Sequence, residues 1–258
     1  MTTPTVVVHR DADLLAQAVA ARFITRLVDI QAARGDASVV LTGGRVGIAT
    51  LRAIADAPAH AAIDWSALDV WWGDERFVPS GDPERNDTQA SEALLDRVPI
   101  EPARVHAMPA ADGPLGDDPE AAAQQYAAEL AAVRPDGHTG LPTFDVLLLG
   151  VGPDGHVASL FPEHPGLHDE RAVVAVRGAP KPPPTRLSLS LRTIREADEV
   201  WMVVAGADKA PAVRMALSGA GPVQVPAAGA QGLRATRWLL DRAAASQLPP
   251  GLERIASP

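Results

Sequence analysis

His156 follows Asp154 by two residues, among three glycines, Gly150, Gly152 and Gly155. The glycines begin where a nearly unbroken apolar run, Phe144, Val146, Leu147, Leu148 and Leu149, stops. An imidazole changes charge near neutral pH, which suits it to general base work. Three other groups bear charge at comparable places. Asp74, Glu75 and Arg76 follow an apolar stretch at 68–72, and Thr42, Gly43, Gly44 and Arg45 follow another at 38–41. Arg186 comes after a proline cluster at 180–184, which is stiff and extended, and Lys209 follows Gly206 and Asp208. Arginine matches phosphate and oxyanions with its forked donors. The combination fits base-assisted chemistry on an anionic substrate.

Each feature also has a plain structural explanation. A single histidine is commonly a structural residue, Gly43 and Gly44 also suit a tight turn, and Asp74, Glu75 and Arg76 also suit a solvated, ion-paired loop. Lys209 can equally extend along the surface into solvent. What raises His156 above this is its place in a glycine-rich turn directly after a buried strand.

The surrounding pattern supplies elements to hold these groups. Residues 6–8, 38–41, 68–72, 144–149, 173–176, 199–204 and 237–240 read as strands, and 187–191 alternate in polarity. Helical spacing is evident from Asp11 to Arg34, ended by Gly35, and over 46–57, 86–97 and 119–133, with a further helix opening at Gly206 and Asp208. Residues 134–142 read as a polar linker whose second Asp-Gly-His, at 136–138, is a turn, and 249–258 as a frayed tail. Strands alternating with helices imply a mostly parallel α/β sheet covered on both faces, in one domain over residues 1–258. In such sheets ligands bind at the carboxyl ends of the strands. The turns after Leu41, Trp72 and Leu149 should share that edge.

Composition narrows the function classes. The chain of 258 residues is 47% hydrophobic, enough for a sizeable core. It has no cysteine, which excludes disulfides and thiolate metal sites and fits a reducing cytoplasm. Its formal charge of −9 argues against nucleic acid or an anionic membrane as partner. No signal peptide or membrane-spanning stretch is evident. Gly150, Gly152 and Gly155 match a GxGxxG dinucleotide fingerprint literally, but Pro162 and Pro165 cut short the helix that fingerprint needs. No GxSxG elbow, HExxH pair or P-loop pattern is present.

Taken in order, TGG at 42–44, WGDERFVP at 72–79 with Asn86 beyond it, GVGPDGHVASLFP at 150–162, the proline-flanked Arg186 and the segment from Gly206 to Lys209 resemble the 6-phosphogluconolactonase family. The resemblance implies a modified Rossmann-like fold, shared with glucosamine-6-phosphate deaminases and ribose-5-phosphate isomerases. It implies hydrolysis of 6-phosphoglucono-1,5-lactone to 6-phosphogluconate in the oxidative pentose phosphate pathway, without metal or organic cofactor. By motif position, His156 activates water, and Arg76 binds substrate or steadies developing charge. Thr42, Gly43, Gly44, Arg186 and Lys209 hold the phosphate, and Asp74 and Asp154 orient sugar hydroxyls or the histidine. The partner implied is a small phosphorylated sugar lactone, met by a cytoplasmic monomer or weak dimer.

The chain departs from the family pattern in two places. Thr42 stands for the usual serine, with Arg45, Val46 and Gly47 for a Ser-Thr-Pro, and Val157 stands for the usual threonine. Arg45 either adds a cation toward the phosphate or points to solvent. Deaminases of this fold carry a glutamate five residues after the histidine, where this chain has Phe161. A non-catalytic sugar-phosphate sensor is the alternative from another class, although no DNA-binding segment accompanies it.

Overall fold

The computed structural model describes residues 3–133, 143–249, 251–252 and 254–256. In chain order the elements are β1 (Thr5–His9), α1 (Ala12–Arg34), β2 (Ala37–Leu41), α2 (Arg45–Asp56), β3 (Leu68–Trp72), β4 (Asp74–Arg76), α3 (Asn86–Ala93), α4 (Pro119–Val133) and β5 (Val146–Leu149). They continue with β6 (Val173–Val176), β7 (Arg186–Leu189), α5 (Leu191–Ile194), β8 (Glu199–Val204), α6 (Ala210–Leu217), α7 (Pro226–Gly229), β9 (Ala235–Asp241) and β10 (Arg254–Ala256).

Helix α1 shows how local chemistry sets these boundaries. Asp11 caps its start by accepting from the Leu14 amide at 2.9 Å, and Gly35, in the left-handed region at φ 95°, ends it. Seven strands then pair in parallel in the order β10-β1-β9-β8-β5-β2-β3. Alternate side chains leave the sheet on opposite faces. Val39, Leu41, Val70, Trp72, Val146 and Leu148 pack with α1, α2 and α3, whereas Val40, Trp71, Leu147, Leu149, Val200 and Met202 pack with α4 and the later loops. The protein is thus an α/β fold with a parallel sheet covered on both faces.

The strand order fixes where a site can form. Chain progression runs outward from β2 to β3 on one side and from β5 through β8 to β9 on the other. The segment after β2 therefore turns to one face, where Ile48, Leu51 and Ile54 of α2 are buried. The segment after β5 turns to the opposite face, where Val151, Val157, Leu160 and Phe161 are buried. A crevice opens between diverging connections of this kind. Gly73 then redirects the chain: its amide donates to Leu41 O at 3.1 Å and its carbonyl accepts from Leu189 N at 2.8 Å. Beyond it a three-stranded antiparallel sheet, β4-β7-β6, places Arg76 directly opposite Arg186.

The sequence reading lacks strands β4 and β10 and the short helices α5 and α7, and it carries the helix at 86 on to 97 where α3 ends at Ala93. The stretch read as a frayed tail contributes β10, which pairs with β1 in the register Val6↔Arg254 to Val8↔Ala256. A three-residue edge strand has no periodicity of its own, and only the open edge of β1 defines it. In the small antiparallel sheet β6 and β7 fall on the stretches read at 173–176 and 187–191, whereas β4 leaves no sequence signal, because Asp74 and Glu75 have poor strand propensity and pair through tertiary context. The second Asp-Gly-His and its linker lie outside the described residues. Among the described residues no helix is long and apolar enough to cross a membrane.

Candidate active site

At the crevice lies a cavity of about 530 Å³. Thr42, Gly43, Gly44, Arg45, Asp74, Arg76, His156, Arg186 and Lys209 all line it, so groups spread over much of the chain meet at one sheet edge. Asp154 is the exception among the expected residues. It stands behind His156, outside the lining.

The histidine is held by its own loop. Gly155, at φ 86°, folds the turn back so that the Gly155 amide donates to Gly152 O and the Gly152 amide to His156 O, both at 2.9 Å. His156 Nδ1 then donates to Asp154 Oδ1 at 2.5 Å, which leaves Nε2 as the nitrogen able to take a proton. Burial raises the Asp154 carboxyl, but the hydrogen bond and charge of His156 outweigh it and hold the carboxyl at about 2. Phe161 packs its ring 4.6 Å from the imidazole. Gly152 must be glycine, because a methyl group there would lie 2.1 Å from the His156 ring.

The neighbouring carboxylates have different duties. Asp74 is buried, and its Oδ2 accepts from Ser159 Oγ at 2.7 Å while its main-chain carbonyl accepts from Asn86 Nδ2 at 2.8 Å. Glu75 points away into the framework. Its carboxylate accepts from the amides of Asn86 and Asp87 at 2.7 and 2.9 Å, capping α3. Burial pushes the Glu75 carboxyl up, against the pull of Arg85 and these amides.

Cations approach the cavity from two segments. Arg186, buried on β7, donates to the carbonyls of Lys181, Pro182 and Pro183 and sits 5.9 Å from the Phe161 ring centroid. Opposite it, Arg76 donates to Glu84 O. Burial lowers the Arg186 guanidinium from its ordinary value, with Asp74 opposing and Arg76 adding to the effect. Directly opposed like charges are unfavourable on a sheet, and an anion between them relieves the repulsion. The second segment is the Gly44 turn and Lys209. Helix α2 starts at Gly44 without any side-chain cap, so its first amides remain available to an anion. Thr42 Oγ1 accepts from Gly150 N at 3.3 Å and ties this turn to the His156 loop. Lys209 Nζ lies 2.5 Å from Asp208 Oδ2, and Arg45 is exposed at the cavity wall. Among the described residues no cluster of three or more His, Asp or Glu side chains could hold a metal ion.

Ser159, Asn86 and Phe161 are parts of this site that carry no catalytic chemistry of their own. In the sequence Ser159 and Phe161 lie inside the motif at 150–162 and Asn86 beyond the one at 72–79, but nothing local ties Ser159 to Asp74 or Asn86 to the glycine turn.

A parallel sheet whose switch-point crevice combines a carboxylate-held histidine with arginine, lysine and free helix amides defines the class: an α/β protein built to bind and transform a small anionic ligand. The family model for glucosamine-6-phosphate isomerases/6-phosphogluconolactonase matches residues 10–238. The chain belongs to that family. It is 65% identical over 257 residues to a 6-phosphogluconolactonase of Streptomyces coelicolor, covering 99% of this chain and 98% of that one. It is 50% identical over 240 residues to a 6-phosphogluconolactonase of Mycobacterium tuberculosis, covering 93% and 96%. The solved 6-phosphogluconolactonase of Trypanosoma brucei superposes with a TM-score of 0.83 at 28% identity, over 96% of this chain and all of that one. A solved monomeric glucosamine-6-phosphate deaminase shares the fold, at a TM-score of 0.76 and 22% identity over 94% and 99% of the two chains.

Proposed function

We propose that the chain hydrolyses 6-phosphoglucono-1,5-lactone to 6-phosphogluconate, with His156 as the base. The observation that carries this reading is the His156–Asp154 pair, joined at 2.5 Å and presented to a cavity lined by Arg45, Arg76, Lys181, Arg186 and Lys209. Water attacks the lactone carbonyl carbon while His156 Nε2 takes its proton. Asp154 holds the ring by Nδ1 and stabilises the imidazolium that results. Arg76 faces the negative charge growing on the carbonyl oxygen, and its buried Nε has no hydrogen-bond partner in the free protein. The ring C–O bond then breaks, and the proton on His156 passes to the departing ring oxygen, which becomes a hydroxyl. Thr42, Gly43, Gly44, Arg45, Arg186 and Lys209 hold the phosphate, and Asp74 orients a sugar hydroxyl. The phosphate is a remote handle whose binding energy positions the reacting carbon.

Phe161 disfavours the deaminase reading. An apolar ring packs on the histidine where deaminases place a carboxylate, so ring opening would lack its proton shuttle. We infer one α/β unit over residues 1–258, acting in the cytoplasm as a monomer or weak dimer, a state that light scattering can check.

The test is hydrolysis of freshly generated lactone, coupled to 6-phosphogluconate dehydrogenase, with spontaneous opening subtracted. His156→Ala should lower kcat by ~10² to 10⁴ and retain binding of 6-phosphogluconate. Full turnover in that variant would remove the base assignment. No protein-dependent rate with the folded wild type would remove the lactonase reading.

A further inference from the structure

The two glycines of the cavity turn are glycine for different reasons. Gly44 adopts φ 81°, a conformation that disfavours side chains, and a methyl there would meet nothing. Gly43 has no positive φ and needs no special freedom. Space decides it. A methyl on Gly43 would lie 1.9 Å from Asn86 Oδ1 and 2.6 Å from Asn86 Cγ, so the Asn86 amide fills the volume a side chain would take.

Asn86 is fixed from β4 on two sides. Its backbone amide donates to Glu75 Oε1 at 2.7 Å, and its side-chain Nδ2 donates to the Asp74 carbonyl at 2.8 Å and approaches Asp74 Oδ1 at 3.4 Å. That orientation leaves Oδ1 buried against the Gly43 backbone with no hydrogen-bond partner, in a residue only 2% exposed. A buried acceptor without a donor is costly to a fold. An alanine would avoid that cost, and helix α3 would keep its cap because Glu75 supplies it.

We propose that Asn86 is a positioning residue, a wedge that locks the anion-binding turn at Gly43 to the strand carrying Asp74 and Arg76. It thereby sets the separation between the phosphate handle and the reacting end of the cavity. The identity of the anion rests on the lactonase reading, whereas the wedge itself does not.

The experiment is a two-residue cycle of Asn86→Ala, Gly43→Ala and the double variant. Binding of inorganic phosphate and of 6-phosphogluconate is measured by calorimetry, and hydrolysis is measured on phosphorylated and unphosphorylated gluconolactone. Asn86→Ala should raise KM for the phosphorylated lactone about tenfold with kcat nearly kept, and change the unphosphorylated lactone much less. Gly43→Ala should weaken both anions by about tenfold or more, and adding Asn86→Ala should return binding to the level of Asn86→Ala alone, since the methyl then occupies the vacated space. Should Gly43→Ala alone fail to fold, recovery of a folded, phosphate-binding double variant carries the same result. Losses that multiply in the double variant would overturn the wedge, as would equal losses on both lactones or a wild type that binds neither anion. A wild type that binds 6-phosphogluconate without hydrolysing the lactone removes the lactonase reading and leaves the wedge standing.

Discussion

Replacing Asp154 by Asn tests whether the carboxylate acts on the reaction or merely decorates the loop. The substitution keeps the shape and removes the charge facing His156 Nδ1 at 2.5 Å. The Asp154 carboxyl sits at about 2 in place of 3.8. At 1.36 kcal/mol per pH unit, that difference corresponds to about 2.5 kcal/mol between the carboxylate and its partners. Asp154 keeps 35% of its side chain exposed, and solvent screening reduces the useful part to about 1 kcal/mol. In the proposed mechanism the same attraction steadies the imidazolium formed as water is activated, so the lost charge alone should slow kcat about fivefold. Loss of a firmly held ring orientation adds to this, for a total of ~10 to 10². Initial rates on fresh lactone should show the fall in kcat with KM nearly unchanged. In a His156→Ala background the same substitution should do nothing further, because no ring remains to orient. Unchanged kcat, or a full additional loss in that background, would refute the pairing as a catalytic device. Asp154 is depressed in the folded state, so its stabilising effect is present above 3.8 and lost as pH falls through about 2. Urea midpoints of wild type and variant should therefore converge toward that acidic limit.

Three further outcomes follow from neighbouring groups. Lys209→Ala should raise KM about tenfold, with unfolding free energy changed by less than about 1 kcal/mol because its ion pair lies near the surface, while Arg186→Ala should raise KM and also cost about 1–3 kcal/mol, because a buried side chain is lost together with its bonds to the Lys181, Pro182 and Pro183 carbonyls. Kinetics and urea melts on both variants separate the two effects. Gly152→Ala should cut kcat at least tenfold with KM little changed, since its methyl would displace His156 by contact at 2.1 Å; normal turnover would show that the ring tolerates the shift. His106 is stacked on Trp71 at 3.7 Å and bonded to Asp69 and Glu129 at 3.1 and 2.8 Å. Burial lowers its basicity, but the two carboxylates prevail and raise it above 6.5, so its stabilising contribution is full below 6.5 and lost as pH rises through the elevated value. The stability advantage of wild type over His106→Gln should then be larger near about pH 6 than near about pH 9.

Much of the site was legible because its chemistry is local. Glycines at 150, 152 and 155 permit one tight loop, and Asp154 and His156 lie within that loop, so their pairing needs no distant partner. Apolar runs ending at Leu41, Trp72 and Leu149 marked three strands, and parallel α/β topology put their carboxyl ends together. Arg45 shows the limit. Its sequence position left two options, and the structure puts it at the cavity wall while still exposed.

By itself, then, the sequence determined the parallel α/β sheet, the helix caps at Asp11 and Gly35, and the motifs that bring His156, Arg76 and the glycine turn to one edge. Tertiary structure alone decided that Arg76 faces Arg186, that Ser159 holds Asp74, that residues 254–256 close the sheet and that Asn86 fills the space denied to Gly43. The difference is one of range. Turns, caps and periodicity are encoded within a few neighbouring residues, whereas these contacts join segments 43 to 248 positions apart and leave no periodic trace in the chain between them.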